Sequence, residues 1–247
     1  MIKLIVFLPL LGFLYCAFVG SYFHDRVSQL VTTFLLTIST FLSWIIFLQY
    51  LEGANTTIIH ILNWITSGSF SADWSLRVDA LTATMMVVVT TVSACVHLYS
   101  VGYMNEDKSI NRFMGYLSLF TFFMLMLVSS NNLLQMFFGW EGVGLSSYLL
   151  IGFWHHKDSA NKAAIKAFIL NRVGDFGFVL GIVGVFFIFG SINFDIIFTD
   201  AINYQNHAFN FLGLSLSTID TLCFLLFIGA MGKSAQLGLH TWLPDAM

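Results

Sequence analysis

The most restrictive feature of this sequence is a series of seven long apolar segments. They cover approximately residues 2–21, 29–51, 79–102, 113–130, 132–153, 166–190 and 219–240. A helix needs about 20 predominantly apolar residues to cross the hydrocarbon core of a bilayer. Only 9% of the residues are charged, against about 25% in a typical soluble domain, which excludes a soluble fold. The sequence therefore predicts an all-α, polytopic transmembrane helix bundle with about seven spans.

The positive charges that flank these segments predict their orientation. Lys and Arg accumulate on the cytoplasmic side of membrane helices. The side that includes the N-terminus has only Lys3 and Arg77, whereas the other side has Arg26, Lys108, Arg112, Lys157, Lys162 and Lys166. We therefore expect the N-terminus to lie outside, in the periplasm or intermembrane space. The first segment has no small-residue cleavage site and is predicted to be an uncleaved span rather than a signal peptide.

The connections between the segments carry their own signals. Residues 52–78 alternate polar and apolar side chains, which favours a short strand pair or a surface-lying turn. Residues 191–218 mix polar and apolar residues and favour a short interfacial helix followed by a loop. Asp158 or Ser159 is the predicted N-cap of the sixth helix, because both residue types accept hydrogen bonds from the first backbone N–H groups of a helix.

Two charged residues lie deep inside apolar segments. Glu141 falls in the middle of the fifth segment and Lys233 deep in the seventh. A charge at the centre of a bilayer costs roughly 2.5–3.5 kcal/mol or more, so such residues usually serve an ion or proton path. If the two helices pack together, the carboxylate and the ammonium can couple directly or through water. The alternative is a buried ion pair that only determines packing.

Further polar residues fall within or beside the apolar segments. Arg172 and Asp175 are spaced for an ion pair on one helix face and lie six to nine residues in from the predicted inner end of the sixth helix. They are either a relay pair or an anchor for a partner subunit. His97 is predicted to be an interfacial or core histidine. His240 lies where a helix would break, and it either lines a water-filled cavity or merely marks the break.

Several function classes find no support in the sequence. The net charge is −3 and the charges are scattered, unlike the basic patch of a nucleic-acid-binding protein. There is no Walker loop, dinucleotide-binding glycine turn, iron–sulfur cysteine cluster or nucleophile elbow. Cys16, Cys95 and Cys223 have no metal-ligand spacing and are predicted to be small core residues. We therefore expect no catalytic redox residue, cofactor-binding residue or metal ligand in this chain.

The sequence resembles the antiporter-like distal membrane subunit, called subunit 5 or L, of respiratory NADH:quinone oxidoreductase (complex I). The resemblance lies in long ungapped motifs from about residue 70 onward. They are Tyr99–Met104, Phe137–Leu145, Tyr148–Trp154, Asn171–Asp175, Gly232–Gln236 and Leu239–Met247.

The resemblance implies a role for each buried charge. Glu141 and Lys233 match the family's proton-input pair, with the lysine in a discontinuous seventh helix. Arg172 and Asp175 match charged residues near the adjacent antiporter-like subunit. The implied function is proton translocation coupled to quinone reduction in a bacterial or mitochondrial inner membrane. NADH, FMN, iron–sulfur clusters and quinone would be bound by other subunits of the complex, so the implied enzyme activity belongs to the complex.

The resemblance also implies a division of the chain. Residues 1–65 would form a two-helix extension with the start of an outer loop, and residues 66–116 an N-terminal segment with the third helix. Residues 117–247 would form the proton-translocating domain, which in the family continues well beyond this point. We therefore expect a truncated fragment, a split gene product or part of a longer chain. Two alternatives remain open: the large subunit of a multisubunit Na⁺/H⁺ antiporter, and a non-catalytic membrane remnant.

Overall fold

Helices dominate the computed structural model, which describes residues 1–68, 70–205, 207–211 and 214–246. The helices are α1 (Ile2–Leu14), α2 (Asp25–Leu51), α3 (Ala80–Tyr103), α4 (Ile110–Val128), α5 (Leu133–Ile151), α6 (Asp158–Phe189), α7 (Phe194–Asp200), α8 (Thr218–Lys233) and α9 (Leu243–Ala246). A π-helical turn (Tyr15–Val19) and a 3-10 turn (Gly20–Tyr22) continue α1, and a 3-10 turn (Ala201–Tyr204) follows α7.

Two strand pairs interrupt the helices. Strands β1 (Thr57–Ser67) and β2 (Phe70–Val78) form one two-stranded sheet. Strands β3 (Ala208–Phe211) and β4 (Leu214–Ser217) form a second, antiparallel one. The strand pair predicted within residues 52–78 is confirmed, and so is a short helix within 191–218. The second strand pair was not predicted, because strands of four residues are too short to show a periodic pattern.

Five helical stretches are long and apolar enough to cross a membrane. They are Ile2–Tyr22, Asp25–Leu51, Ala80–Tyr103, Ile110–Val128 and Asp158–Phe189. Helix α8 has only 16 residues, and α5 contains Gln135 and Glu141, which lower its mean hydropathy. The chain is therefore a multi-pass membrane protein. The count of seven spans and the orientation remain predictions.

The first compact unit comprises Met1–Ile61, Trp74–Asn131 and Gln135–Phe153. Its apolar core includes the fully buried side chains of Ile5, Leu76, Met86 and Leu125. Hydroxyl groups also link its helices, and one example is the 2.8 Å hydrogen bond from Ser39 Oγ to the Ile5 carbonyl. Small hydroxyl residues suit this environment, because membrane helices associate through close packing and hydrogen bonds rather than through hydrophobic burial.

The carboxylate of Asp79 caps the N-terminus of α3 in this unit. It accepts a 2.8 Å hydrogen bond from the Thr82 backbone N–H and lies 3.5 Å from Arg77 Nε. Partial burial alone would raise the pKa of Asp79, but the hydrogen bonds from Thr82 and the charge of Arg77 outweigh it. The pKa of this carboxyl is therefore held below its usual value.

The second compact unit comprises Leu62–Asp73, Asn132–Leu134 and Trp154–Met247. Its main contact is between α6 and α8, where glycines bring the two backbones together. A Cβ atom at Gly174 would lie 3.1 Å from the Ile228 carbonyl oxygen and 3.2 Å from Gly232 Cα. A side chain at Gly174 would therefore be closer to α8 than most Cβ contacts allow, and the glycine lets the two backbones approach.

Helix α6 begins earlier than its apolar segment predicts. It starts at Asp158, after Lys157 as the N-cap residue, and within the described residues no side chain forms a capping hydrogen bond there. The prediction of an Asp158 or Ser159 N-cap was therefore wrong. The helix extends because residues 160–167 are mostly Ala and Lys, which are strong helix formers.

Two of the three cysteines are not core residues. Cys16 is buried, but Cys95 and Cys223 are exposed on α3 and α8. The prediction for these two was wrong because both faces of a membrane helix are apolar, so apolar neighbours in the sequence do not indicate burial.

Candidate functional site

Glu141 lies at the midpoint of α5 (Leu133–Ile151) and is half-buried. Glycines on both sides of it face α4. A Cβ atom at Gly139 would lie 2.7 Å from the backbone nitrogen and Cα of Leu127, and one at Gly142 would overlap the ring of Phe123. These glycines therefore let α5 approach α4 closely, and this close approach determines the position of the segment that carries the carboxylate.

Two serines follow Glu141 in α5. Ser146 Oγ donates to the Gly142 carbonyl and Ser147 Oγ to the Gly144 carbonyl, each at 2.8 Å. Both hydroxyl groups are thereby satisfied within their own helix, as is usual for serine in a membrane helix.

Lys233 is the last residue of α8 and is half-buried. The prediction of a helix continuing to about residue 240 was wrong. The helix stops because Ala235 adopts a positive φ of 50°, and two backbone bonds close the end. They run from Ala235 N–H to the Gly232 carbonyl at 3.3 Å and from Gln236 N–H to the Met231 carbonyl at 3.0 Å. This is a Schellman ending, with alanine at the position that glycine usually takes.

The end of α8 suits a positive charge. The carbonyl groups of the last turn point along the helix axis beyond its C-terminal end and carry the negative end of the helix dipole. One of them, at Gly232, accepts a 3.1 Å hydrogen bond from Trp242 Nε1. Lys233 therefore lies where its ammonium is stabilised, directly before nine non-helical residues, 234–242.

Two contacts hold the segment that follows the break. Besides the Trp242 bond, Asp245 in α9 accepts a 2.7 Å hydrogen bond from Lys166 Nζ in α6. Sequence reasoning missed these three residues as well as Ala235. Trp242 and Asp245 lie in the recognised motif 239–247, which was their only signal.

Arg172 and Asp175 lie near the middle of α6, further from its N-terminal end than the six to nine residues predicted, because α6 begins at Asp158 rather than at about residue 166. Asp175 is buried, with 3% of its surface exposed. Arg172 is exposed, and its guanidinium lies 4.9 Å from the centroid of the Phe168 ring. The two side chains therefore differ in environment, although they share one helix.

His240 is exposed and lies within the non-helical residues between α8 and α9. Its carbonyl accepts a 3.1 Å hydrogen bond from the Leu243 N–H. His240 is thus part of the break.

In the described part of the chain, no group of three or more His, Cys, Asp or Glu side chains is placed to hold a metal ion.

Comparison with known families gives two matches. The family described as NADH:quinone oxidoreductase/Mrp antiporter, transmembrane, matches residues 130–247. The family described as the N-terminus of chain 5 of NADH-ubiquinone oxidoreductase (complex I) matches residues 64–114.

Individual relatives cover the whole chain. NADH-quinone oxidoreductase subunit L of Rhodobacter capsulatus is 55% identical over 254 residues, which cover 100% of this chain and 35% of that protein. NADH-ubiquinone oxidoreductase chain 5 of Arabidopsis thaliana is 52% identical over 247 residues, which cover 100% of this chain and 37% of that protein. The chain thus spans little more than a third of the length of these relatives.

A solved structure has the same fold. A chain of the membrane-bound sulfane sulfur reductase, an archaeal respiratory membrane complex, matches 99% of this chain and 47% of its own length. The TM-score is 0.78 at 17% sequence identity, so this likeness concerns the fold alone. The two family matches and the sequence relatives lead to one conclusion: the chain belongs to the family of antiporter-like membrane subunits of NADH:quinone oxidoreductase, and its relatives there are subunit L and chain 5.

Proposed function

We propose that this chain is part of a proton-translocating membrane subunit of NADH:quinone oxidoreductase, in which Glu141 and Lys233 carry the proton. The observation that carries the proposal is the position of these two charges in apolar helices. Glu141 lies at the midpoint of α5, and Lys233 ends α8 at a break in the helix. The names of the relatives, subunit L and chain 5, support the assignment.

The chemistry follows from the cost of charge in an apolar medium. A carboxylate there is stabilised by a partner charge or water, or is neutralised when it binds a proton. An ammonium is likewise stabilised by a partner charge or water, or is neutralised when it releases a proton. When the charge of one group changes, the preferred protonation state of a neighbouring group changes with it. Each of the two groups can therefore bind a proton at one stage of a cycle and release it at another, provided that an external event moves the charges.

That external event is quinone reduction in other subunits, which would bind NADH, FMN, the iron–sulfur clusters and quinone. The partners of this chain are then the other membrane subunits, and the adjacent antiporter-like subunit would contact the region of Arg172 and Asp175. The proposal includes seven spans with the N-terminus outside, in the inner membrane of a bacterium or mitochondrion.

Replacing Glu141 with glutamine tests the role of the carboxylate. The variant Glu141→Gln keeps the size of the side chain and removes its charge. In the full-length subunit within the complex, we expect normal assembly and loss of the membrane potential formed by proteoliposomes supplied with NADH and quinone. The matched control is Glu106→Gln, because Glu106 is exposed between α3 and α4. Unchanged pumping by Glu141→Gln would refute the role of this residue.

A double-mutant cycle tests whether the two charges act as a pair. Glu141→Gln, Lys233→Met and the double variant are compared in their rates of proton translocation. Groups that act as a unit give strongly non-additive effects, with coupling of about 0.5–3 kcal/mol. We expect the double variant to be no worse than either single one. Simple additivity of the two losses would show that the residues act separately.

Sodium/proton antiport is a second candidate, because one matching family is described as including the Mrp antiporter. Asp245 favours the respiratory assignment, since the antiporter version of this motif is expected to have asparagine there. Sodium uptake into vesicles that contain the full-length subunit separates the two. Transport driven by a pH gradient and independent of NADH would favour the antiporter.

A further inference from the structure

A groove between α3 and α4 has no part in the proposed proton path. Its volume is about 390 Å³, and Leu150 of α5 closes one side of it. Residues between Met85 and Val96 line it on α3, and residues between Leu117 and Met124 line it on α4. All three helices belong to the first compact unit, so the groove is a feature of that unit alone.

The groove has the dimensions of one extended chain. From Met85 to Val96, α3 rises by about 16 Å, at about 1.5 Å per residue. A volume of about 390 Å³ over this length corresponds to a width of about 5–6 Å, whereas a helix with its side chains is about 10–12 Å wide. One leaflet fills half of a hydrocarbon core about 30 Å thick. The groove is therefore too narrow for a helix but matches a single acyl chain in width and length.

The two hydroxyl groups in the groove require no polar occupant. Thr121 Oγ1 donates to the Leu117 carbonyl at 2.9 Å, and Ser93 Oγ is hydrogen-bonded to Thr121 Oγ1. Because Thr121 uses its hydrogen on Leu117, Ser93 must donate to Thr121. Both hydroxyl hydrogens are thus used inside the protein, and the other described lining residues are apolar. Since apolar cavities stay dry, the groove suits hydrocarbon rather than water.

The groove opens on the outer surface of the bundle. Val88, Val92 and Val96 expose 49%, 58% and 40% of their surfaces. They lie on α3, which is long and apolar enough to cross a membrane. An acyl chain can therefore enter the groove sideways from the bilayer.

Two tyrosines continue the line of the groove toward the C-terminal end of α3. Tyr99 and Tyr103 follow Val92 and Val96 at spacings of three, four and seven residues, which place all four on one helix face. Both tyrosines are exposed, and their rings stack with centroids 5.5 Å apart. Tyrosines near the end of a spanning helix lie at the level of the lipid headgroups. Their hydroxyl groups can therefore donate to the phosphate or ester oxygens of a lipid whose chain lies in the groove.

The loop that joins α3 to α4 adds charges at the same end of the groove. Lys108 and Glu106 are exposed there, whereas Asp107 is half-buried. Arg112, in the first turn of α4, is directed elsewhere, because its Nη2 donates a 3.0 Å hydrogen bond to the Phe153 carbonyl. The exposed charges of this loop are thus one base and one acid. They complement the phosphate and the ammonium of a zwitterionic headgroup.

We propose that the groove between α3 and α4 is a binding site for a zwitterionic phospholipid. One acyl chain lies along Val88, Val92 and Val96, and the phosphate lies beside the Tyr103 hydroxyl and Lys108. An acyl chain in a bilayer is not taken out of water when it enters the groove, so close packing and the polar contacts of the headgroup retain it. The inference goes beyond the proposed function and does not depend on it.

A photoreactive phospholipid tests the site in the complex that contains the full-length subunit. The lipid carries a diazirine in one acyl chain and an ethanolamine headgroup. After reconstitution and illumination, mass spectrometry measures the labelling of residues 117–124, the α4 side of the groove. We expect clear labelling there in the wild type. Absence of labelling would show that another part of the complex covers the groove, and it would overturn the proposal.

The variant Val92→Trp distinguishes a lipid in the groove from lipid on the surface. The indole ring fills the middle of the groove, so we expect the labelling of residues 117–124 to fall by about threefold or more. The matched control is Val183→Trp, because Val183 is an exposed valine of α6, with 44% of its surface exposed. This control should leave the labelling unchanged. Equal labelling in Val92→Trp and the wild type would overturn the proposal.

The headgroup contacts provide a second measurement, which does not require Val92→Trp to assemble. Tyr103→Phe keeps the stacked ring and removes the hydroxyl. We expect it to lower labelling about threefold, the factor that one polar contact contributes inside a membrane. A lipid with the same chains and an anionic glycerol headgroup should label the wild type less. Equal labelling by the two lipids, or no effect of Tyr103→Phe, would overturn the proposal.

Discussion

Replacing Gly139 with alanine would place a methyl group against the backbone of the neighbouring helix. The new Cβ would lie 2.7 Å from the nitrogen and Cα of Leu127 and 2.8 Å from its Cβ. Ordinary contacts between carbon atoms are about 3.5–4.0 Å long, so the helices would have to separate by about 1 Å. No side-chain rotation can relieve the clash, because two of the three atoms are backbone.

The expected cost follows from two opposing effects. Overpacking a tight interface costs about 1–3 kcal/mol, and contact with backbone atoms places this site near the upper end. Alanine recovers about 1 kcal/mol of helix propensity relative to glycine. We therefore expect Gly139→Ala to lower the free energy of unfolding by about 2 kcal/mol, or the midpoint of thermal unfolding by about 4–8 °C.

The control substitution uses a glycine on α3 without neighbours. Among the residues that the structure describes, no heavy atom lies within 4 Å of a Cβ atom at Gly102, so Gly102→Ala should be neutral or stabilising by about 0.5–1 kcal/mol. Both variants are compared by circular dichroism during heating of the purified chain in detergent micelles. If Gly139→Ala unfolds at the same temperature as Gly102→Ala, close contact between α4 and α5 does not stabilise the chain, and the reasoning fails.

Three other expectations concern helix ends. Asp79→Ala should lower the free energy of unfolding by about 0.5–2 kcal/mol, because it removes the capping hydrogen bond from the Thr82 N–H. Asp79→Asn should keep this hydrogen bond. Because the folded-state pKa of Asp79 is lowered, its ionised form stabilises the fold above the usual carboxyl pKa, and this stability is lost as the pH falls through the lowered value. Acid unfolding of the wild type and of Asp79→Asn measures this loss of stability. An equal loss of stability in both proteins as the pH falls would contradict the expectation. Ala235→Gly should stabilise the end of α8 by about 1 kcal/mol, since glycine adopts a positive φ without strain, and unchanged thermal unfolding would argue against this. Trp242→Phe removes the hydrogen bond to the Gly232 carbonyl, which is worth about 0.5–1.5 kcal/mol. Amide hydrogen exchange in residues 234–242 should therefore accelerate. Unaltered exchange would show that this bond does not stabilise the non-helical segment.

Residues near α6 and α8 show how far sequence reasoning reaches in a membrane protein. The apolar segments predicted the existence of both helices, because a buried backbone must form its own hydrogen bonds. The boundaries came out differently. Helix α6 begins at Asp158, well before its apolar segment but within one residue of the N-cap predicted at Asp158 or Ser159, because helix propensity rather than hydropathy determines this boundary.

The sequence by itself determined that this chain is a multi-pass helical membrane protein and that Glu141 lies at the midpoint of a helix. Apolar length and the position of a single charge are local properties, so no tertiary contact was needed to find them. Only the tertiary structure decided that α8 ends at Lys233, where Ala235 has a positive φ and Trp242 donates a hydrogen bond to the Gly232 carbonyl. Only the tertiary structure decided that His97 bonds to Ser118 and that Cys95 is exposed. The physical reason is that lipid and protein interior are equally apolar, so the sequence does not distinguish the two faces of a membrane helix, and close contacts between helices make that choice.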